Sequence, residues 1–232
     1  MKYAVLSSKT PKKCVDALIS LGYTVLPLPP FERLAEPVST HADMLFFSYN
    51  NIMVTHREYY NTVHNVFDLL CSECGMSLVL TDDDINPEYP RDIAFNAISL
   101  GGTLYSNTSY TSDSVAGMFS KKVNVKQGYA ACSTLAVTDS CVITADHSLA
   151  RAYEQNDIDV TLISNGSILL PPYDCGFIGG ASGVDGDTVY FAGNIDTHVD
   201  SEIIKNTLLL QNINYISLSD EPLFDVGGIK FF

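Results

Sequence analysis

Apolar positions along this chain fall in short paired blocks, each pair followed by a helical period and then one more apolar block. Residues 133–163 show the unit most plainly. "STLAVT" is apolar and β-branched, "DS" turns the chain, and "CVITA" returns, which predicts a hairpin. "DHSLARAYEQND" then opens on Asp146 as an N-cap and sets Leu149, Ala150 and Tyr153 on one helical face. "IDVTLIS" closes the unit as a short interior strand.

The same order recurs three more times. "ADMLFFSYNNIMV" reads as a hairpin turning at Asn50-Asn51, before a helix over about 57–72 and the strand "SLVLT". "IAFNAISLGGTLYS" turns at Gly101-Gly102 and leads through a short helix from about Ser112 to Ser120 into "KVNVK". "GFIGGASGVDGDTVYFAG" is a longer hairpin, followed by a helix over about 200–210 and the strand "NYISLS". The N-terminal stretch supplies "KYAVLS", a helix and "YTVLPLP", and lacks only a first hairpin strand. The C-terminal "DVGGIKFF" is a strand without a partner. If it pairs with residues 2–7, a fifth unit is complete and the ring has no open end. Five units of about 46 residues each fall in the usual range for repeat architectures and predict one domain over residues 1–232. The pairs Gly101-Gly102, Gly179-Gly180 and Gly227-Gly228 each fall in the first strand or turn of a hairpin, where a bulge or close backbone approach is expected.

Composition narrows the function classes. Apolar residues make up 46% of the chain and charged ones 17%, a globular balance. No apolar run is long enough to span a bilayer, and the start lacks the pattern of a secretion signal, so a cytosolic location is expected. The net charge of −14 argues against a nucleic-acid partner; it suits a small cationic ligand, and solubility alone accounts for it equally simply. Six cysteines are then expected to be reduced thiols. Cys71-x-x-Cys74 lies at the end of a helix rather than its start, so it lacks the dipole that activates a redox pair. It also lacks a second ligand pair for zinc, and "TDDD" at 81–84 lacks calcium-loop spacing. No metal or organic cofactor is called for.

Five units closing head to tail resemble the pentein, or α/β-propeller, superfamily. It holds guanidine-modifying enzymes (arginine deiminase, dimethylargininase, amidinotransferases) and the non-enzymatic ribosomal anti-association factor, initiation factor six. "HADMLFF", "VKQGYAACSTLAVTDSCVITADHSLARA", "GFIGGASG" and "SDEPLFDVGGIKFF" resemble a small bacterial branch with the guanidine-modifying-enzyme fold. The resemblance implies a five-bladed propeller of ββαβ units. It also implies a cysteine thiolate attacking a guanidinium carbon, with a histidine managing protons and carboxylates holding the cation.

Residue by residue, the match is partial. "QGYAACST" places Gly128 four residues before Cys132, where the enzymes have a Gly-Gly-x-x-Cys run, but Tyr129 replaces the second glycine. In "DVGGIKFF", Lys230 and Phe231 stand where a His-Cys pair is common. The Thr-Arg-Asp-like run has an analogue in Thr40-His41-Ala42-Asp43, whereas Ile178-Gly179-Gly180-Ala181 has lost both acids of a Glu-Gly-Gly-Asp-like run. Loops at one end of the ring gather His41, Asp43, Lys126, Gln127, Tyr129, Cys132, Asp174, Cys175 and Asp225. The enzymatic expectation makes Cys132 the nucleophile, its pKa lowered by Lys126 or His41, with His41 carrying the proton. Asp43, Lys126, Gln127, Asp174 and Asp225 would bind a small cationic guanidine or amidine. The competing expectation is a binding module without catalysis, with Cys132 a small buried residue. The recurring His56, His147 and His198 at helix starts are expected to be neutral caps.

Overall fold

The computed structural model describes residues 1–232 and contains five three-stranded sheets. The chain starts with β1 (Lys2–Ser7), α1 (Lys12–Ser20) and β2 (Tyr23–Leu28), then a single helical turn, α2 (Ala42–Leu45). The first complete unit is β3 (Phe46–Tyr49), β4 (Ile52–His56), α3 (Arg57–Cys74) and β5 (Ser77–Thr81). The second is β6 (Ile98–Leu100), β7 (Thr103–Ser106), α4 (Asp113–Ala116) and β8 (Lys121–Asn124). The third is β9 (Thr134–Thr138), β10 (Cys141–Thr144), α5 (His147–Glu154) and β11 (Asp159–Leu162). The fourth is β12 (Ser182–Asp185), β13 (Thr188–Phe191), α6 (Ser201–Leu210) and β14 (Asn214–Ser217). Finally β15 (Lys230–Phe231) returns to β1, pairing Ala4 with Phe231 and Val5 with Lys230, and the ring closes as expected.

Four sheets are wired alike: the first strand runs antiparallel to the second through a hairpin, and the third runs parallel to the second after a helical crossover. The fifth has the same strand directions, but its outer antiparallel strand β15 is joined to β1 by pairing alone and not by a hairpin. That geometry follows from connection length, since a tight turn can only reverse the chain while a parallel return needs a crossover. Middle strands are the most apolar because both faces are covered; every residue of β7 and β10 is buried. The helices are amphipathic at the spacing the sequence shows. In α3, Tyr59, Val63, Val66, Phe67 and Leu70 are buried, and the helix ends on Gly75 in the left-handed region at φ 66°. His56 and His198 do act at helix starts, their Nδ1 atoms accepting from the Glu58 and Asp200 amides at 3.2 and 3.0 Å. In the third unit Asp146 takes that role, accepting from the amides of Ser148 and Leu149, so His147 falls outside the pattern.

The first strands differ from expectation. "ADML" is a helical turn, "IAFNA" folds as turns before β6, and 178–181 turns before β12, so each first strand starts late. Helix α4 is also one turn long instead of reaching Ser120. The glycine pairs are correspondingly out of register: Gly101-Gly102 is a hairpin tip, whereas Gly179-Gly180 and Gly227-Gly228 lie in turns before a first strand.

The reason lies at the axis, where the five pre-strand turns bond to one another. The Asp43 amide donates to Gly227 O at 3.0 Å, and the Val226 and Gly228 amides donate to Gly180 O at 2.9 and 2.8 Å. Gly180 N donates to Cys132 O at 2.9 Å, Ala131 N donates to Asn96 Oδ1 at 2.8 Å, and Asn96 Nδ2 donates to Met44 Sδ at 3.2 Å. The belt is closed through all five units. Buried backbone polar groups need partners, and in these turns the neighbouring unit supplies many of them. On one side of the belt the first strands enclose a funnel of about 280 Å³, lined by residues of every unit, among them Phe47, Ser99, Leu135, Gly183 and Lys230. No helix is long and apolar enough to cross a membrane.

Candidate functional site at the hub

Four side chains leave the belt turns and meet: Asp43, Asn96, Cys132 and Asp225. The turn over 129–134 is fixed by Ser133 N donating to Tyr129 O at 2.9 Å and Thr134 N to Ala131 O at 3.2 Å. Asn96 locks that turn from outside. Its Oδ1 accepts from the amides of Ala131 and Cys132 at 2.8 and 3.3 Å, and its Nδ2 donates to Cys132 Sγ at 3.0 Å. One amide thus fixes both the backbone and the sulfur of Cys132. Asp225 is held as firmly: Oδ2 accepts from Phe177 N at 2.8 Å and Oδ1 from Gly227 N at 2.9 Å. Gly180 has no side chain because Asp225 fills the place; a Cβ there would lie 2.0 Å from Asp225 Oδ1.

Burial governs the charges. Cys132 is 4% exposed, and its thiol pKa is pushed well above the usual value by burial first, then by the charges of Asp43 and Asp225. Asp43 rises to about 6 by burial, against the opposing pull of the Lys230 ammonium. Asp225 rises to about 7, again by burial first and then by the charge of Asp43. His41 falls to about 4 through burial, and its Nδ1 lies 3.7 Å from Asp225 Oδ1 without a hydrogen bond. Near neutral pH the hub therefore holds a neutral thiol, a neutral imidazole and two carboxyls that burial makes easier to protonate than usual. The Oδ1 atom of Asp43 and the Nδ1 atom of His41 have no partner. A buried cation would stabilise the ionised carboxylates and supply the missing contacts.

A cavity of about 200 Å³ opens above the thiol, with Cys132, His41 and Asp225 as its polar wall and Tyr129, Tyr173 and Phe177 as aromatic ones. Tyr129 is pinned there by its hydroxyl, which donates to Asp92 Oδ2 at 2.7 Å. Gly128 must be small for packing, since a Cβ would lie 2.6 Å from the Tyr89 ring. Aromatic faces above carboxylates suit an organic cation.

The sequence-predicted residues divide. Cys132, His41 and Asp225 share the cavity, whereas Asp43, close enough to act on the thiol, lines the funnel instead. Lys126 and Asp174 do not join them; both are exposed and line neither space. Gln127 explains the first departure, because its Oε1 accepts from Tyr129 N and its Nε2 donates to Asp146, turning the chain inward only after Lys126. Lys126 is consequently not among the groups that act on the thiol, and the pKa of Cys132 is raised rather than lowered. His41 faces Asp225 and makes no hydrogen bond with Cys132. Asn96 was missed. Its signal was a lone amide inside the apolar run "IAFNAISL", a placement that costs stability unless every polar atom is used. Nowhere do three or more His, Cys, Asp or Glu residues cluster in a way that could hold a metal ion.

Solved structures that match this fold include guanidine-modifying enzymes of the pentein superfamily. A DDAH from Pseudomonas aeruginosa, in complex with citrulline, superposes with a TM-score of 0.52 at 10% identity, over 94% of this chain and 91% of that one. The agmatine deiminase of C. jejuni gives 0.55 at 10% identity, over 94% and 87%. SxtG, an amidinotransferase from Microseira wollei, gives 0.53 at 11% identity, over 88% and 72%. The five sheets are thus the blades of a pentein-type α/β propeller. No curated protein matches the sequence. The signature of a family of unknown function, DUF6873, spans residues 5–230, and the chain belongs to that family.

Proposed function

We propose that the chain binds a small guanidine- or amidine-like cation in the cavity above Cys132 and acts on it by cysteine chemistry, as a hydrolase or a transferase. The observation that carries this reading is the buried thiol held by Asn96 at the base of an aromatic cavity, with two carboxyls of raised pKa beside it. An arriving cation pairs with Asp225 and reverses the charge that keeps the thiol protonated. The thiol proton passes to Asp43. Cys132 Sγ then forms a bond to the central carbon, the carbon–nitrogen bond to the leaving amine breaks, and the amine departs with a proton returned by the carboxyl. Water or an acceptor amine next attacks the same carbon, the sulfur–carbon bond breaks, and the thiol is restored. His41, neutral and beside Asp225, receives a hydrogen bond from the bound cation.

A second reading, a binding module for the same cation, is favoured by the strength with which burial and both carboxylates oppose the thiolate. The two readings separate by labelling. 2-Chloroacetamidine, a cationic alkylator, and neutral iodoacetamide are compared near pH 7.5, with the modified cysteine mapped by mass spectrometry. Saturable amidine labelling of Cys132, at least tenfold faster than by iodoacetamide, supports catalysis. Equal and slow labelling by both ends the nucleophile proposal.

A further inference from the structure

The belt separates two spaces, and the one opposite the cysteine cavity has a charge pattern of its own. The funnel of about 280 Å³ is lined in part by Asp43, which is 3% exposed and whose Oδ1 accepts no hydrogen bond. Lys230, carried by β15, lines the same space, with no carboxylate within salt-bridge distance and no hydrogen bond. Most other lysines of this acidic chain do have carboxylate partners: Lys2, Lys9, Lys12, Lys13 and Lys205 each form an ion pair. Lys230 and Asp43 sense one another, since the ammonium lowers the Asp43 pKa, yet they do not touch. Between them Ser48 and Ser99 line the wall without making side-chain bonds.

A buried carboxylate with an unfilled acceptor calls for a cationic donor, and an unpaired ammonium in the same enclosure calls for an anion. A simple cation would meet Lys230 as a like charge, and a simple anion would meet Asp43. Only a molecule bearing both signs satisfies both ends. We infer that the funnel is a second ligand site, on the opposite side of the belt from Cys132, and that it takes a zwitterionic amino carboxylate. The ligand's ammonium meets Asp43 and its carboxylate meets Lys230.

The test is calorimetric titration of the full chain with glycine, β-alanine, γ-aminobutyrate and 5-aminovalerate, a series that varies the distance between the two charges. At least one member is expected to saturate below 10 mM. Its methyl ester, which lacks the anion, and its N-acetyl form, which lacks the cation, are each expected to bind at least tenfold more weakly. Lys230→Met is expected to weaken binding by at least tenfold, and Lys230→Arg to retain it. Tyr173→Ala, on the wall of the cation cavity and absent from the funnel, is expected to leave it within twofold, which separates this site from that cavity. Failure of every member to saturate, or equal binding of the ester or the N-acetyl form, overturns the inference without recourse to any variant. Undiminished binding by Lys230→Met overturns it as well.

Discussion

The pre-strand turns of the first three sheets in the chain after β2 and those of the last two solve one packing problem in opposite ways. Before β3, β6 and β9 the turns send side chains to the axis: Asp43, Asn96 and Cys132. Before β12 and β15 they are glycine pairs, and the space is filled from elsewhere. The Asp225 carboxylate occupies the place of a side chain at Gly180, and the Cβ of His41 lies 2.2 Å from where a Cβ on Gly227 would be. The contrast shows that fivefold backbone symmetry does not require fivefold chemistry. Two turns gave up side chains, and the room they left admits His41 and Asp225, a pairing with no equivalent elsewhere in the ring.

The largest expected effect breaks the glycine half. Gly180→Ala forces Asp225 out of its two amide bonds and should destabilise the fold by about 4 kcal/mol, read from the denaturant midpoint. Next comes the side-chain half. Asn96→Ala leaves the Ala131 and Cys132 amides without their buried acceptor and should cost about 3 kcal/mol. It should also end any difference between amidine and iodoacetamide at Cys132. The third prediction has the opposite sign. Asp43 and Asp225 have folded pKa values above their ordinary value, so the folded state holds more protons than the unfolded one between about pH 4 and pH 7. Their contribution is fully present below that window and is lost as pH rises through it. Asp43→Asn should therefore stabilise the protein by about 2 kcal/mol at pH 8, with little gain at pH 4, and flatten the fall of Tm between them. The smallest effect lies at the rim. Lys13→Ala removes contacts to Asp220 and Glu221 that are open to water, and Tm should stay within error of the parent.

The sequence carried the ring itself in full view. Paired apolar blocks, helix periods and an orphan final strand are local signals, and the closure of "IKFF" on "KYAVLS" needed only counting. The hub was harder to read because its signals are not periodic. "ADML" is apolar enough for a strand, yet its amides bond across units rather than within a sheet, so it coils. Lys126 and Cys132 are six residues apart, a spacing that says nothing of the turn Gln127 makes between them. Asp225 could be named as a candidate from its position before a strand. That its carboxylate stands in for a side chain missing from Gly180 follows only from the three-dimensional meeting of residues 45 apart.

The closed belt also sets an order of events. Asp43 receives its backbone partner from Gly227, and Gly180 accepts from Val226 and Gly228, all near the end of the chain. The sheets over 46–217 pair their own strands without that segment, but the hub does not close without it. Asp43 then waits with its amide unpaired, Asp225 is absent, and the funnel has no Lys230. Whatever the two spaces bind, neither is complete until residues 225–230 are in place, so a chain cut before Asp225 keeps four sheets and loses both spaces together.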